Sequence, residues 1–140
     1  MNSEIHIEDI LARDGVFVST TSGFSMYPML RDRRDTIVVR TYTGRLKKYD
    51  VALYKQNGKY ILHRVIKVLP KSYVIRGDNC YNKEYGITDE DILGVLREFY
   101  RGDKKVNMDG LTYKLYVRLA RGIYHLRRIK GKAMCLVKRA

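Results

Sequence analysis

The chain has no Trp, three Phe, two Pro and two Cys among its 140 residues. With the other aromatics scarce, twelve Tyr must supply most of the aromatic packing, and Tyr suits half-buried places where its hydroxyl keeps a polar partner. Cys80 and Cys135 stand alone, without His at zinc-like spacing, so neither a disulfide framework nor a metal site is expected. No apolar run reaches the ~18 residues of a membrane-spanning helix. Residues Met1 to Asp14 hold four acidic side chains and no unbroken apolar stretch, so a secretory leader is not expected. Gly-rich phosphate loops, nucleotide fingerprints, repeats and low-complexity runs are also missing, and no cofactor is expected.

What is present is charge, unevenly placed. The formal net charge is +13, and residues 101–140 hold twelve Lys/Arg against two Asp/Glu. The first hundred residues are nearly balanced, so the division expected is a domain over 1–100 and a basic extension over 101–140. A basic extension suits an anionic partner or a solvated charged face.

Short β-prone runs punctuated by turns fill residues 16–100. Val16 to Thr21, Thr36 to Thr41, Asp50 to Lys55, Lys59 to Leu69, Ser72 to Arg76 and Leu93 to Tyr100 read as strands. Asn57-Gly58 is the strongest hairpin signal, because both residues tolerate the positive φ of a type I′ turn. Ahead of them Ser3 is placed to cap a short helix with Ile7, Ile10 and Leu11 on its apolar side, ending near Gly15. The fold class expected is mainly β, a sandwich or partly closed barrel with a short N-terminal helix.

From Leu111 the period becomes helical. At 100° per residue, Lys114, Arg118, Arg121, His125 and Arg128 form one ribbon. Leu111, Leu115, Leu119, Leu126 and Ile129 lie beside it, with Tyr113, Tyr116, Val117, Ala120 and Tyr124 further round. Such a basic amphipathic helix over 111–129 suits peripheral contact with anionic membrane. Nucleic acid would also answer to the charge, but no recognition motif supports it.

Three segments could do chemistry: Ser22-Gly-Phe-Ser-Met-Tyr-Pro-Met-Leu30, Leu62-His-Arg-Val-Ile66 and Arg76-Gly-Asp-Asn79. Gly23, two residues before Ser25, lets the backbone turn sharply and clears room for a carbonyl to approach N–H donors. Pro28 stiffens the exit from that turn. A Ser hydroxyl needs a neighbouring base. Of the three His, His6 falls in the acidic N-terminal segment and His125 in the basic ribbon, which leaves His63.

Taken in order, SGFSMYPML, YDVALY, LHRVI and RGDN resemble the successive boxes of the signal peptidase I family. The resemblance covers about residues 20 to 95. It implies an antiparallel, coiled-sheet β-domain and a serine endopeptidase acting through an acyl-enzyme. Ser25 would be the nucleophile, and its own N–H would belong to the oxyanion hole. Met26 and Pro28 would shape the turn and groove, and His63 would take the base position that most bacterial members fill with Lys. Gly23 stands where some relatives carry a Ser, so only backbone oxyanion donors are implied.

The His-type relatives orient the imidazole with an Asp after the G-D-N box. Here Gly77-Asp-Asn-Cys-Tyr-Asn-Lys-Glu84 offers none in that place. Glu84 falls closest to it, and Asp78 is the other candidate; Asp78-Asn79 could equally be a plain turn. Asp89, Glu90 and Asp91 read as a solvated turn. The family usually carries transmembrane anchors, whereas about twenty acidic, helical residues precede Ser25 here. The location expected is therefore cytoplasmic or membrane-peripheral, with a peptide or protein as substrate. A catalytically silent peptide-binding module on the same fold and a basic nucleic-acid-binding domain are the alternatives.

Overall fold

The computed structural model describes residues 4–129. Ser3, Cys135 and the side chains of Arg128 and Ile129 lie outside what is described. The elements are α1 (Ile7–Asp14), β1 (Val16–Thr20), β2 (Asp35–Arg40), β3 (Val51–Gln56), β4 (Lys59–Val68), β5 (Tyr73–Arg76), β6 (Glu84–Ile87), β7 (Ile92–Arg101), β8 (Lys104–Val106) and α2 (Leu111–Ile129). The protein is mainly β, and every strand pairing is antiparallel. The strands form one eight-stranded sheet in the order β1-β2-β7-β3-β4-β5-β6, with β8 paired to β7.

β7 lies between β2 and β3, so residues far apart in sequence meet at the centre of the sheet. β3 is buried on both faces, which explains its unbroken apolar run. Val51 and Leu53 join one core with Met26, Met29, Leu30, Leu96 and Phe99. Ala52 and Tyr54 join the other with Val65, Tyr73, Ile75 and Val95. Truncating a side chain such as Phe99, which is wholly buried, costs about 3–5 kcal/mol. The Asn57-Gly58 turn is as the sequence suggests: φ is 51° and 75°, and Gln56 pairs with Lys59 across it.

Two expectations change. α1 starts after His6, whose side chain makes no cap. Tertiary contacts do that work instead, since the Ile7 N–H donates to the Tyr60 hydroxyl at 3.4 Å, satisfying one of the orphan donors of a helix start. Glu8 is tied down with it, accepting from Lys55 Nζ at 2.7 Å and from Tyr60. At the other end Gly15, at φ 71°, returns its N–H to Leu11 as expected. Secondly, β6 and β8 are short strands that carry no alternating apolar pattern. Residue 100 falls inside β7, and the sheet runs on to Val106 before α2 begins.

α2 spans the expected residues. It seats Val117 and Tyr124 as buried residues, with Tyr113, Tyr116 and Ala120 partly buried beside them. Leu111, Leu115, Leu119, Ile123 and Leu126 remain exposed. Tyr wins the interior because its hydroxyls reach buried charge: Tyr113 accepts from Arg64, and Tyr116 donates to Asp78. Leu offers no such partner.

Candidate active site

β4 alternates its side chains across the sheet, so His63 and Arg64 face opposite ways. His63 pairs with Ala52 and shares its face with Tyr54. Arg64 pairs with Val51 and turns toward Met29, Asp78 and α2. This single alternation separates the two carboxylates that the sequence left as candidates.

On the His63 side, Nδ1 lies 3.2 Å from the Tyr54 hydroxyl and 3.5 Å from Glu84 Oε1. Tyr54 in turn donates its proton to Glu84 Oε2. A hydroxyl has one proton. With it committed to Glu84, the Tyr54 oxygen faces Nδ1 as an acceptor, which in the neutral ring assigns the proton to Nδ1 and the lone pair to Nε2. Burial and the adjacent carboxylate both push the Tyr54 hydroxyl up, which keeps that proton in place. Burial works to raise the Glu84 carboxyl, but hydrogen bonds from His63 and Tyr54 hold it below its ordinary value. His63 itself is 6% exposed.

On the other side Asp78 is fully engaged. Its Oδ1 accepts from Arg64 Nε at 2.8 Å, and its Oδ2 accepts from the second guanidinium arm and from Tyr116, each at 2.9 Å. Arg64 also donates to the Tyr49 carbonyl and to Tyr113, both at 3.0 Å. Burial would lower its pKa, yet Asp78 more than offsets this and raises it. Asp78 is a structural counter-ion, and it does not reach the imidazole.

The Ser25 turn is stapled to the loop after β5. The Asn79 N–H donates to the Ser25 carbonyl at 2.8 Å, and the Asn79 side chain donates to the Phe24 carbonyl at 3.1 Å. Gly77 is the point of closest approach. A Cβ placed there would sit 2.6 Å from the Ser25 carbonyl oxygen and 3.0 Å from His63 Nε2. Only Gly fits, and its absent side chain is what lets the Ser25 backbone and the proton-accepting nitrogen face one another.

Gly23 has φ 89° and open space where a side chain would be. Its N–H donates to Asp32 Oδ1 at 2.8 Å, so it shapes the turn and is not an oxyanion donor. Met26 and Met29 are buried anchors of the turn, while Phe24, Tyr27 and Pro28 stay at the surface beside Ser25.

No family model, curated protein or solved structure matches this chain. The structure brings Ser25, His63 and Glu84 to one end of β4–β6 and leaves Asp78 on the opposite face. Asp89 is held by Tyr73 and Arg45 and is not wholly solvated. Sequence reasoning missed Tyr54, although the two-residue hairpin turn fixes a register that puts it diagonally across from His63 on one face. Among the described residues no helix is long and apolar enough to cross a membrane.

Proposed function

We propose that the protein is a serine endopeptidase in which Ser25 is the nucleophile and His63 the general base. The observation that supports it best is the convergence at Gly77 of the Ser25 backbone and His63 Nε2, with the opposite imidazole nitrogen held by Tyr54 and Glu84. Ser25 Oγ attacks the scissile carbonyl and passes its proton to Nε2. The backbone N–H of Ser25 faces the developing oxyanion. Collapse of the tetrahedral intermediate breaks the C–N bond, and the leaving amine takes the proton from Nε2. Water then enters by the same route and releases the acyl group. Glu84 is a positioning residue that acts through the imidazole.

An extended peptide suits this sheet as substrate. β1 and β6 each pair on one side only among the described residues; β1 runs into the Ser25 turn, and β6 begins at Glu84. A peptide added as a further strand would have its carbonyls presented to that turn. A serine-reactive acylating probe, followed by mass mapping, tests the assignment. The label should fall on Ser25 in the wild-type protein and be lost in His63→Ala. A silent peptide-binding module would take no label, and a label elsewhere would displace the mechanism.

We propose separately that α2 contacts an anionic lipid surface. Its exposed Leu111, Leu115, Leu119, Ile123 and Leu126 form an apolar ridge, bordered by exposed Lys114 and Arg118. A free apolar ridge beside cations inserts between headgroups and is less screened by salt than a purely charged contact. Co-sedimentation with anionic liposomes should therefore persist at high salt and be lost in Leu115→Ser/Leu119→Ser. Binding that vanishes with salt, or survives that variant, would refute insertion through the ridge.

A further inference from the structure

On the flank of α2 opposite the leucine ridge, a cavity of about 90 Å³ opens between the helix and β4–β5. Its lining includes Lys48, Arg76, Lys83, Arg121 and His125. Its carboxylate, Asp78, has both oxygens occupied by Arg64 and Tyr116. None of Lys48, Arg76, Lys83 and Arg121 makes an ion pair among the described residues.

The four cations are nevertheless held in two pairs, each on one tyrosine. The Arg76 guanidinium lies 3.4 Å from the Tyr124 ring centroid, and Lys83 Nζ lies 5.8 Å from the same ring. Arg121 donates to the Tyr49 hydroxyl at 3.1 Å, and Lys48 Nζ sits 5.0 Å from the Tyr49 ring. Aromatic rings position cations but do not neutralise them.

Arg76 is the decisive member. It is 6% exposed, and its Nε is the one fully buried side-chain nitrogen or oxygen without a hydrogen-bond partner among the described residues. Burying an unsatisfied donor is costly, and a charged one more so. Burial also pulls the Arg76 pKa below its ordinary value. An anion in the cavity beside this guanidinium would relieve the cost of its buried charge.

We propose that this cavity is a binding site for a phosphate group, with Arg76 at its floor and Lys83, Arg121 and Lys48 at its rim. Guanidinium and ammonium groups together match a tetrahedral oxyanion, the guanidinium by its fork and the ammonium as a point charge. The cavity has room for several waters by the usual standard of ~10–15 Å³ each. It therefore admits a phosphate group. Because the leucine ridge is on the far flank of α2, lipid engaged by that ridge does not present its headgroup here. The source of the phosphate favoured by this geometry is a soluble phosphorylated compound.

Titration calorimetry with inorganic phosphate tests the site. Lys83→Ala/Arg121→Ala, which alters only rim residues, should weaken binding at least tenfold. Lys114→Ala/Arg118→Ala removes the same charge from the same chain outside the cavity and should change binding less than twofold. Arg76→Leu should abolish binding; if it does not fold, the rim pair still decides. Vesicles containing phosphatidic acid separate the sources: a soluble source leaves vesicle binding by Lys83→Ala/Arg121→Ala unchanged, and a lipid source reduces it. No phosphate binding by the wild type, or equal weakening in both double variants, overturns the proposal. The peptidase reading does not depend on this outcome.

Discussion

Ser25→Ala should lower peptide-bond cleavage by at least about 10⁴-fold, the scale seen when a nucleophile is removed from a cooperating Ser–His pair. The thermal midpoint should hardly move. The turn is secured by backbone bonds, Tyr27 N–H to Phe24, Leu30 N–H to Met26 and Asn79 N–H to Ser25, and alanine leaves all three intact. Turnover of a peptide mixture read by mass spectrometry, beside a melting curve, checks both halves. A folded Ser25→Ala protein that still cleaves at the wild-type rate would end the serine mechanism.

The two acids should part company in a different pair of measurements. Asp78→Ala leaves the guanidinium of Arg64 buried without its counter-ion. The side chains are 3% and 6% exposed, and breaking such a pair costs about 3–5 kcal/mol. For a chain of this size that is a fall in Tm on the order of 10–20 °C. Glu84→Gln should instead cost little stability and lower turnover about 10²–10⁴-fold, because an amide can donate to Nδ1 and favour the wrong tautomer. Melting curves and turnover for both variants give the answer. An Asp78→Ala protein that melts like wild type but turns over slowly would reverse the roles.

Much of this arrangement is legible in the sequence alone, and the failures have specific causes. Six of the strands carry enough Val, Ile and Tyr to be read directly, and Asn57-Gly58 announces its own turn. β6 reads Glu-Tyr-Gly-Ile, and β8 reads Lys-Lys-Val. Their pairing comes from β5 and β7, so their own residues give no periodic signal. Glu84 was within reach because of its place after the G-D-N box. Its separation from Asp78 depends on which face of β4 each neighbour occupies, and that requires the register as well as the sequence. The buried face of α2 was not legible either. Hydropathy ranks Leu above Tyr, whereas the helix sits on a buried Arg64–Asp78 pair that needs hydroxyls.

The position of β7 also bears on how the protein comes into being. A ribosome delivers β2 and β3 well before the strand that must lie between them. Until residues 92–101 emerge, β3 has only its hairpin partner β4, and β2 has only β1. Pairings this distant in sequence close slowly, since chain entropy is lost before the contacts form. The Ser25 turn likewise waits for Asn79. A nascent chain would therefore not bring Ser25 and His63 together while its own N-terminal half is still exposed and unfolded; the proposed site would form only with closure of the sheet.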